Sequence, residues 1–301
     1  MCARSGAVCA YVALLYILAV NGCPDNRIIR YYKELGCSPV PVNSHCPTSF
    51  DCGEWDKQDI EKCWLKGKQY NIGEDVRPLD EPCVHECSCR VDGKRAALSC
   101  ITSECPEHLF DVELPKGCYH THELDTCCAS GELCANNGTE LIRCHYEGKD
   151  YYEGQLLYNS SEPCKTCICD SEFNTKPRCR EVSCGLELHW AIELQKGCAP
   201  IFYGSQTCCP IEWRCPRYGD RVIHRKTKKP SASVNSTGTV CHFGGIQLQI
   251  GEILVGRGEK RGSCQQCSCQ LPPHVTCIQK SNCKSSPWRS TKTLDDCPPE
   301  R

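Results

Sequence analysis

The chain is poor in the side chains that build large cores. Its 301 residues include five Phe, one Met and only 7% aromatics. A chain of this length ordinarily folds as one or two domains of conventional core, and the scarcity of large apolar groups argues against that. Neither sign of charge dominates. The formal net charge is −2 and the pI is near 6.5, so there is no general attraction to nucleic acid or to an anionic membrane. Long apolar runs are missing except at the start. HExxH, a Gly-rich phosphate loop and a Ser/His/Asp order are missing as well. The chain therefore reads as a non-enzyme that needs no cofactor.

What it has is cysteine: 33 residues, above the roughly 8–10% of a chain that marks a disulfide scaffold. Crosslinks replace core burial in modules too small to bury enough surface, each worth ~2–4 kcal/mol. The one apolar run, Ala7 to Val20, follows a segment with a single cation, Arg4, and precedes Asn-Gly-Cys. It is too short to span a bilayer comfortably and fits a signal peptide over residues 1–22. No other segment is apolar enough to cross a membrane. Secretion is the expected outcome, and the sequons at Asn137, Asn159 and Asn235 are expected glycosylation sites.

The cysteines are arranged in repeats. One set runs 63, 83, 87, 89, 100, 105, 118, 127, 128, 134, and a second runs 144, 164, 167, 169, 179, 184, 198, 208, 209, 215. Each has a C-x-C, a later C-x4-C, a CC pair and a final C-x5-C. Other residues repeat too: Glu-Pro precedes both Cys83 and Cys164, and Glu-Leu-Pro-Lys-Gly-Cys118 matches Glu-Leu-Gln-Lys-Gly-Cys198. A third copy starts at Cys241 and continues through 264, 267, 269, 277, 283 and 297. Glycines fall four residues after each first cysteine (Gly67, Gly148, Gly245) and ten after it (Gly73, Gly154, Gly251). Tyr70, Tyr151 and Leu248 lie between them. Gly at fixed offsets around short aromatic or aliphatic runs predicts a small hairpin with tight turns.

Residues 23–52 match the second half of a repeat. Cys23-x13-Cys37 corresponds to Cys184-x13-Cys198, and Cys46-Pro-x4-Cys52 to Cys209-Pro-x4-Cys215, with the first cysteine of the CC pair missing. The expected organisation is a half-repeat over 23–52, repeats over 63–134 and 144–215, a basic linker over 216–240, and an incomplete repeat over 241–301.

The spacing C…CxxCxC…C…C…C…CC…C resembles the von Willebrand factor type C module, the chordin-like cysteine-rich repeat of chordin, crossveinless and kielin-type secreted proteins. The first repeat departs from it by one residue, with Cys83-x3-Cys87 in place of CxxC. The resemblance implies tandem disulfide-rich β modules: short hairpins and three-stranded sheets with loop-rich second subdomains and no large hydrophobic core. It also implies a pairing. In the first repeat this is Cys63–Cys89, Cys83–Cys127, Cys87–Cys100, Cys105–Cys128 and Cys118–Cys134. In the second it is Cys144–Cys169, Cys164–Cys208, Cys167–Cys179, Cys184–Cys209 and Cys198–Cys215. The half-repeat would close as Cys23–Cys46 and Cys37–Cys52. The third repeat would form Cys241–Cys269 and Cys267–Cys277, leaving Cys264, Cys283 and Cys297 without family partners. That odd remainder means either a truncated third repeat, the favoured explanation, or an intermolecular bridge.

Two sharper chemistries compete with these assignments. The C-x2-C-x-C run and the stretch from His85 to Cys89 invite zinc, but in an exported chain with even blocks of cysteine, disulfides take precedence and no metal is expected. His120 and His122 read as loop bystanders. In the linker, Arg221, Arg225, Lys226, Lys228 and Lys229 make a solvated connector or, more sharply, a heparan-sulfate contact. Family modules commonly bind growth factors of the BMP/TGF-β class, so the resemblance implies a modulator of such a ligand. The expected contacts are Tyr146, Tyr151, Tyr152, Leu156 and Leu157 of the second repeat, with Trp64, Leu65, Tyr70 and Ile72 offered by the first. The competing role for each is packing of its own hairpin. Rival functions are a structural or adhesive matrix component and a body-fluid defence or protease-inhibitor protein.

Overall fold

A computed structural model of the chain describes residues 25–42, 46–53, 59–78, 80–109, 114–134, 141–158, 161–204, 207–224, 240–257 and 264–280. The expected signal segment, the three sequons and Cys23, Cys283 and Cys297 lie outside them. The fold is a set of small disulfide-rich β modules, and the repeats are visible as repeated shapes. Each first half opens with a hairpin: β3 (Cys63–Leu65) with β4 (Lys68–Tyr70), β10 (Arg143–Tyr146) with β11 (Lys149–Tyr152), and β18 (Val240–Phe243) with β19 (Ile246–Gln249). In the first two, both turn residues have positive φ (Lys66-Gly67 and Glu147-Gly148), as a two-residue turn matched to strand twist requires.

Three paired strands follow each hairpin. The first repeat has β5 (Asp75–Val76), β6 (Val84–Asp92) and β7 (Arg95–Thr102). The second has β12 (Leu156–Tyr158), β13 (Lys165–Ile168) and β14 (Cys179–Glu181), and the third has β20 (Ile253–Val255), β21 (Gln265–Ser268) and β22 (Thr276–Gln279). The extra residue between Cys83 and Cys87 is absorbed as a register shift between Val84 and Glu86, a bulge that leaves the rest of the ladder in step.

The second halves combine loops with a few short elements. Each carries a short helical segment and a closing hairpin. The half-repeat has α1 (Asn26–Glu34), then β1 (Ser38–Val40) with β2 (Ser49–Asp51). The first repeat has α2 (Pro106–Leu109) and β8 (Cys118–Thr121) with β9 (Gly131–Cys134). The second has α3 (Leu186–His189), α4 (Ala191–Gln195) and β15 (Ala199–Tyr203) with β16 (Glu212–Arg214). Local chemistry sets the limits of α1. The Asp25 side chain accepts the Arg27 amide at its N-terminus, which satisfies one otherwise orphaned donor. Gly36 adopts φ +77° just beyond its C-terminus, and the Cys37 amide closes on the Tyr32 carbonyl.

The modules do not sit in a row. The apolar stripe of α1, Ile28, Tyr31, Tyr32 and Leu35, is buried against Leu186, Leu194 and Phe202 of the second repeat and Leu271 of the third. Spacing of three and four residues puts that stripe on one helix face, and a thirty-residue half-repeat has too little of its own to cover it. The half-repeat is therefore not self-contained: its apolar face is completed by other modules. The linker, too, is more than a connector. Its β17 (Arg221–Ile223) pairs with β20, and β15 pairs in parallel with β22, giving one six-stranded sheet in the order β16-β15-β22-β21-β20-β17. The second and third repeats thus share a sheet.

The first repeat meets the second through a close backbone approach. The Gly154 carbonyl accepts the His122 amide at 2.8 Å. A Cβ at Gly154, where φ is +79°, would lie 2.7 Å from the Thr121 Cβ, whereas the equivalent Gly73, at φ +89°, faces open space. Gly73→Ala should cost ~1–2 kcal/mol from backbone strain alone, and Gly154→Ala about 1–3 kcal/mol more from overpacking. Urea unfolding midpoints check this; equal losses would contradict the close approach.

A candidate binding face on two disulfide-clamped hairpins

Every described cysteine is disulfide-bonded. In the first repeat the bonds are Cys63–Cys89, Cys83–Cys127, Cys87–Cys100, Cys105–Cys128 and Cys118–Cys134. In the second they are Cys144–Cys169, Cys164–Cys208, Cys167–Cys179, Cys184–Cys209 and Cys198–Cys215. Cys37–Cys52, Cys241–Cys269 and Cys267–Cys277 are also present. Cys46 and Cys264 are disulfide-bonded as well. Cys264, left over by the family pairing, is therefore not a free thiol.

Two sulfur triads, Cys105/Cys127/Cys128 and Cys184/Cys208/Cys209, lie within 4.8 Å. Each triad is formed where two disulfides meet, so its sulfurs are not thiolates able to hold zinc. In the stretch from His85 to Cys89, the His85 ring meets the Ser103 hydroxyl at 2.5 Å, and Cys87 and Cys89 are bridged elsewhere.

The expected contact residues divide by burial. Leu157 is wholly buried, in a core with Cys144, Cys167, Cys169 and Phe173. It is corrected from a contact to a packing residue, because so small a module needs its few apolar groups inside. Tyr146 packs edge-on to Phe173 at 5.7 Å, and Tyr151 lies against the same core. Tyr152 stacks with Tyr119 at 5.9 Å, and the Arg143 guanidinium lies 5.5 Å from its ring centroid. The Tyr119 hydroxyl donates to the Glu153 carbonyl. Burial, then the charges of Glu153 and Tyr152, hold its pKa above the usual phenol range. Leu156 is half-buried. In the first repeat Trp64 is buried, Leu65 and Tyr70 pack against the module core, and Ile72 is half-exposed.

One residue escaped the sequence reading. Tyr158 shares β12 with Leu156 and is 51% exposed. With Leu157 inward, strand alternation turns both its neighbours outward, so period two was the signal that could have found it. Among the expected contacts and their strand neighbours, the apolar groups that face solvent are thus Leu156 and Tyr158 on the second repeat and Ile72 on the first. Arg221 is exposed on β17; Arg225, Lys226, Lys228 and Lys229 lie outside the described residues. Among the described residues no helix is long and apolar enough to cross a membrane.

Among curated proteins, the chain is 24% identical over 240 residues to a von Willebrand factor C and EGF domain-containing protein of Mus musculus. A type C-like family is supported. The match takes in 78% of this chain but 18% of that protein, so the chain spans less than a fifth of its relative's length. No family model matches the chain. No solved structure matches it either.

Proposed function

We propose that the chain is a secreted, non-catalytic binding protein whose type C-like repeats modulate growth factors of the BMP/TGF-β class. The observation that carries this reading is the pair of disulfide-clamped first halves, each with apolar side chains left outward: Leu156 and Tyr158 on one, Ile72 on the other. A clamped hairpin loses little conformational entropy on docking, so a small apolar contact is enough for useful affinity. Two such faces on one chain add avidity toward a dimeric ligand. The type C resemblance supplies the ligand class.

The test is capture of an immobilised BMP-type dimer by the full secreted chain, read by biolayer interferometry. The expected result is saturable binding that weakens about tenfold in a Tyr158→Ser, Ile72→Ser double variant, in line with the loss of two partly buried anchors. Absence of capture together with incorporation into insoluble matrix would replace this reading with the structural one.

A further inference from the structure

Where the half-repeat, the first repeat and the second repeat meet, the contact is built on two buried carboxylates. Glu34 of α1 accepts the amides of Cys184 and Leu186, each at 3.0 Å. Glu187 of α3 accepts the amide of Lys66, in the turn of the first repeat's hairpin, through Oε2. Its Oε1 is buried and has no hydrogen-bond partner, and neither has the buried indole Nε1 of Trp64. Both side chains line one small cavity between β3 and the α3–α4 helices. A carboxylate half-satisfied in this way tolerates a proton better than a charge.

We propose that Glu187 is a protonation latch between modules: with its proton on, the first repeat is held against the second with Trp64 covered, and with the proton lost the junction loosens and uncovers that face. Other charged groups meet at the junction from every side. The half-repeat brings Glu34, with the Arg30 guanidinium at 3.9 Å, and Arg30 also pairs with Glu181. The first repeat brings Lys66, whose ammonium pairs with Asp80, and Glu81, which accepts from the Ser183 hydroxyl. The second repeat brings His189, packed against Gly185. The nearby cations are thus engaged with other carboxylates.

Burial, opposed by the Lys66 amide and reinforced by the charge of Glu34, pushes the Glu187 pKa up to about 7. Burial likewise raises Glu34 above its ordinary value, against the pull of its two amide donors and Arg30. A carboxyl raised in the folded state holds a proton that the open state lacks. The closed form is therefore favoured at acid pH and loses ground as pH rises from about 4.5 through 7. An acidified compartment keeps the chain closed, and a neutral or alkaline one opens it.

Hydrogen exchange on the full chain tests the latch, with rates corrected for intrinsic pH dependence. The protection factor of the Lys66 amide should fall roughly tenfold or more between pH 5.5 and 8, and Glu187→Gln should make it pH-independent. His189→Gln, which removes the imidazole packed against Gly185, is the control and should leave the fall intact. Should Glu187→Gln fail to be secreted, the Lys66 amide shift of the wild-type chain serves instead; it must titrate with a midpoint near 7. A pH-independent Lys66 amide in the wild type overturns the proposal, as does a fall that Glu187→Gln keeps or His189→Gln removes.

Discussion

Replacing Tyr32 by Ala should release the N-terminal half-repeat from the third repeat and cost ~3–5 kcal/mol. Tyr32 is fully buried and stacks on Phe50 at 4.6 Å. Its hydroxyl donates to the Leu271 carbonyl at 2.7 Å and accepts the His274 amide at 2.7 Å, so one side chain satisfies two backbone groups some 240 residues away. Truncation opens a cavity and strands those groups, each worth about 1–3 kcal/mol when left buried and unpaired. Tyr32→Phe separates the terms: it keeps the ring and should lose only about 1–2 kcal/mol. Urea unfolding with hydrogen exchange across residues 26–37 reads both. Unchanged protection of α1 in the Ala variant would show that the docking does not depend on this residue.

Removing the Cys144–Cys169 bridge, both cysteines to Ala, should cost ~3–4 kcal/mol. The estimate comes from the closure entropy of a loop with sequence separation 25. Both cysteines are wholly buried and form much of a core whose other buried members are Leu157, Cys167 and Phe173. No neighbouring layer can compensate, so the damage should be heavy and local. Limited proteolysis should cut within residues 141–180, while amides of β15 and β22 keep their protection. Loss of protection across that sheet as well would mean that the modules unfold as one unit.

Much of this architecture was legible because it is written in local chemistry. Paired positive-φ turns at Gly67 and Gly148 follow from hairpin geometry, and cysteine spacing displays the repeat directly. The stripe Ile28, Tyr31, Tyr32 and Leu35, spaced by three and four residues, went unread although it marks a helix face that must be buried. Nothing nearby in the chain says against what, because Leu186, Phe202 and Leu271 come from other modules. The same limit applies to the expected contacts. Tyr146 and Leu157 were expected on a binding face, yet a module of about seventy residues buries Leu157 outright and packs Tyr146 against its core. Glu187 was invisible for a related reason: an isolated Glu in Gly-Leu-Glu-Leu-His is ordinary until the first repeat's hairpin covers it.

The parallel pairing of β15 with β22 has a consequence for the order of events during synthesis. The described disulfides span sequence separations of 10 to 44, so each repeat can oxidise soon after its last cysteine emerges. The Leu271 side of the α1 pocket and the edge of β15 that takes β22 must wait for residues 271–279, because non-local contacts are made only after the intervening chain has been closed. Until then the docked modules keep part of the α1 face and an unpaired strand edge exposed. Such surfaces attract like surfaces on other chains, so the interval before the third repeat arrives is when this chain most needs a chaperone's cover.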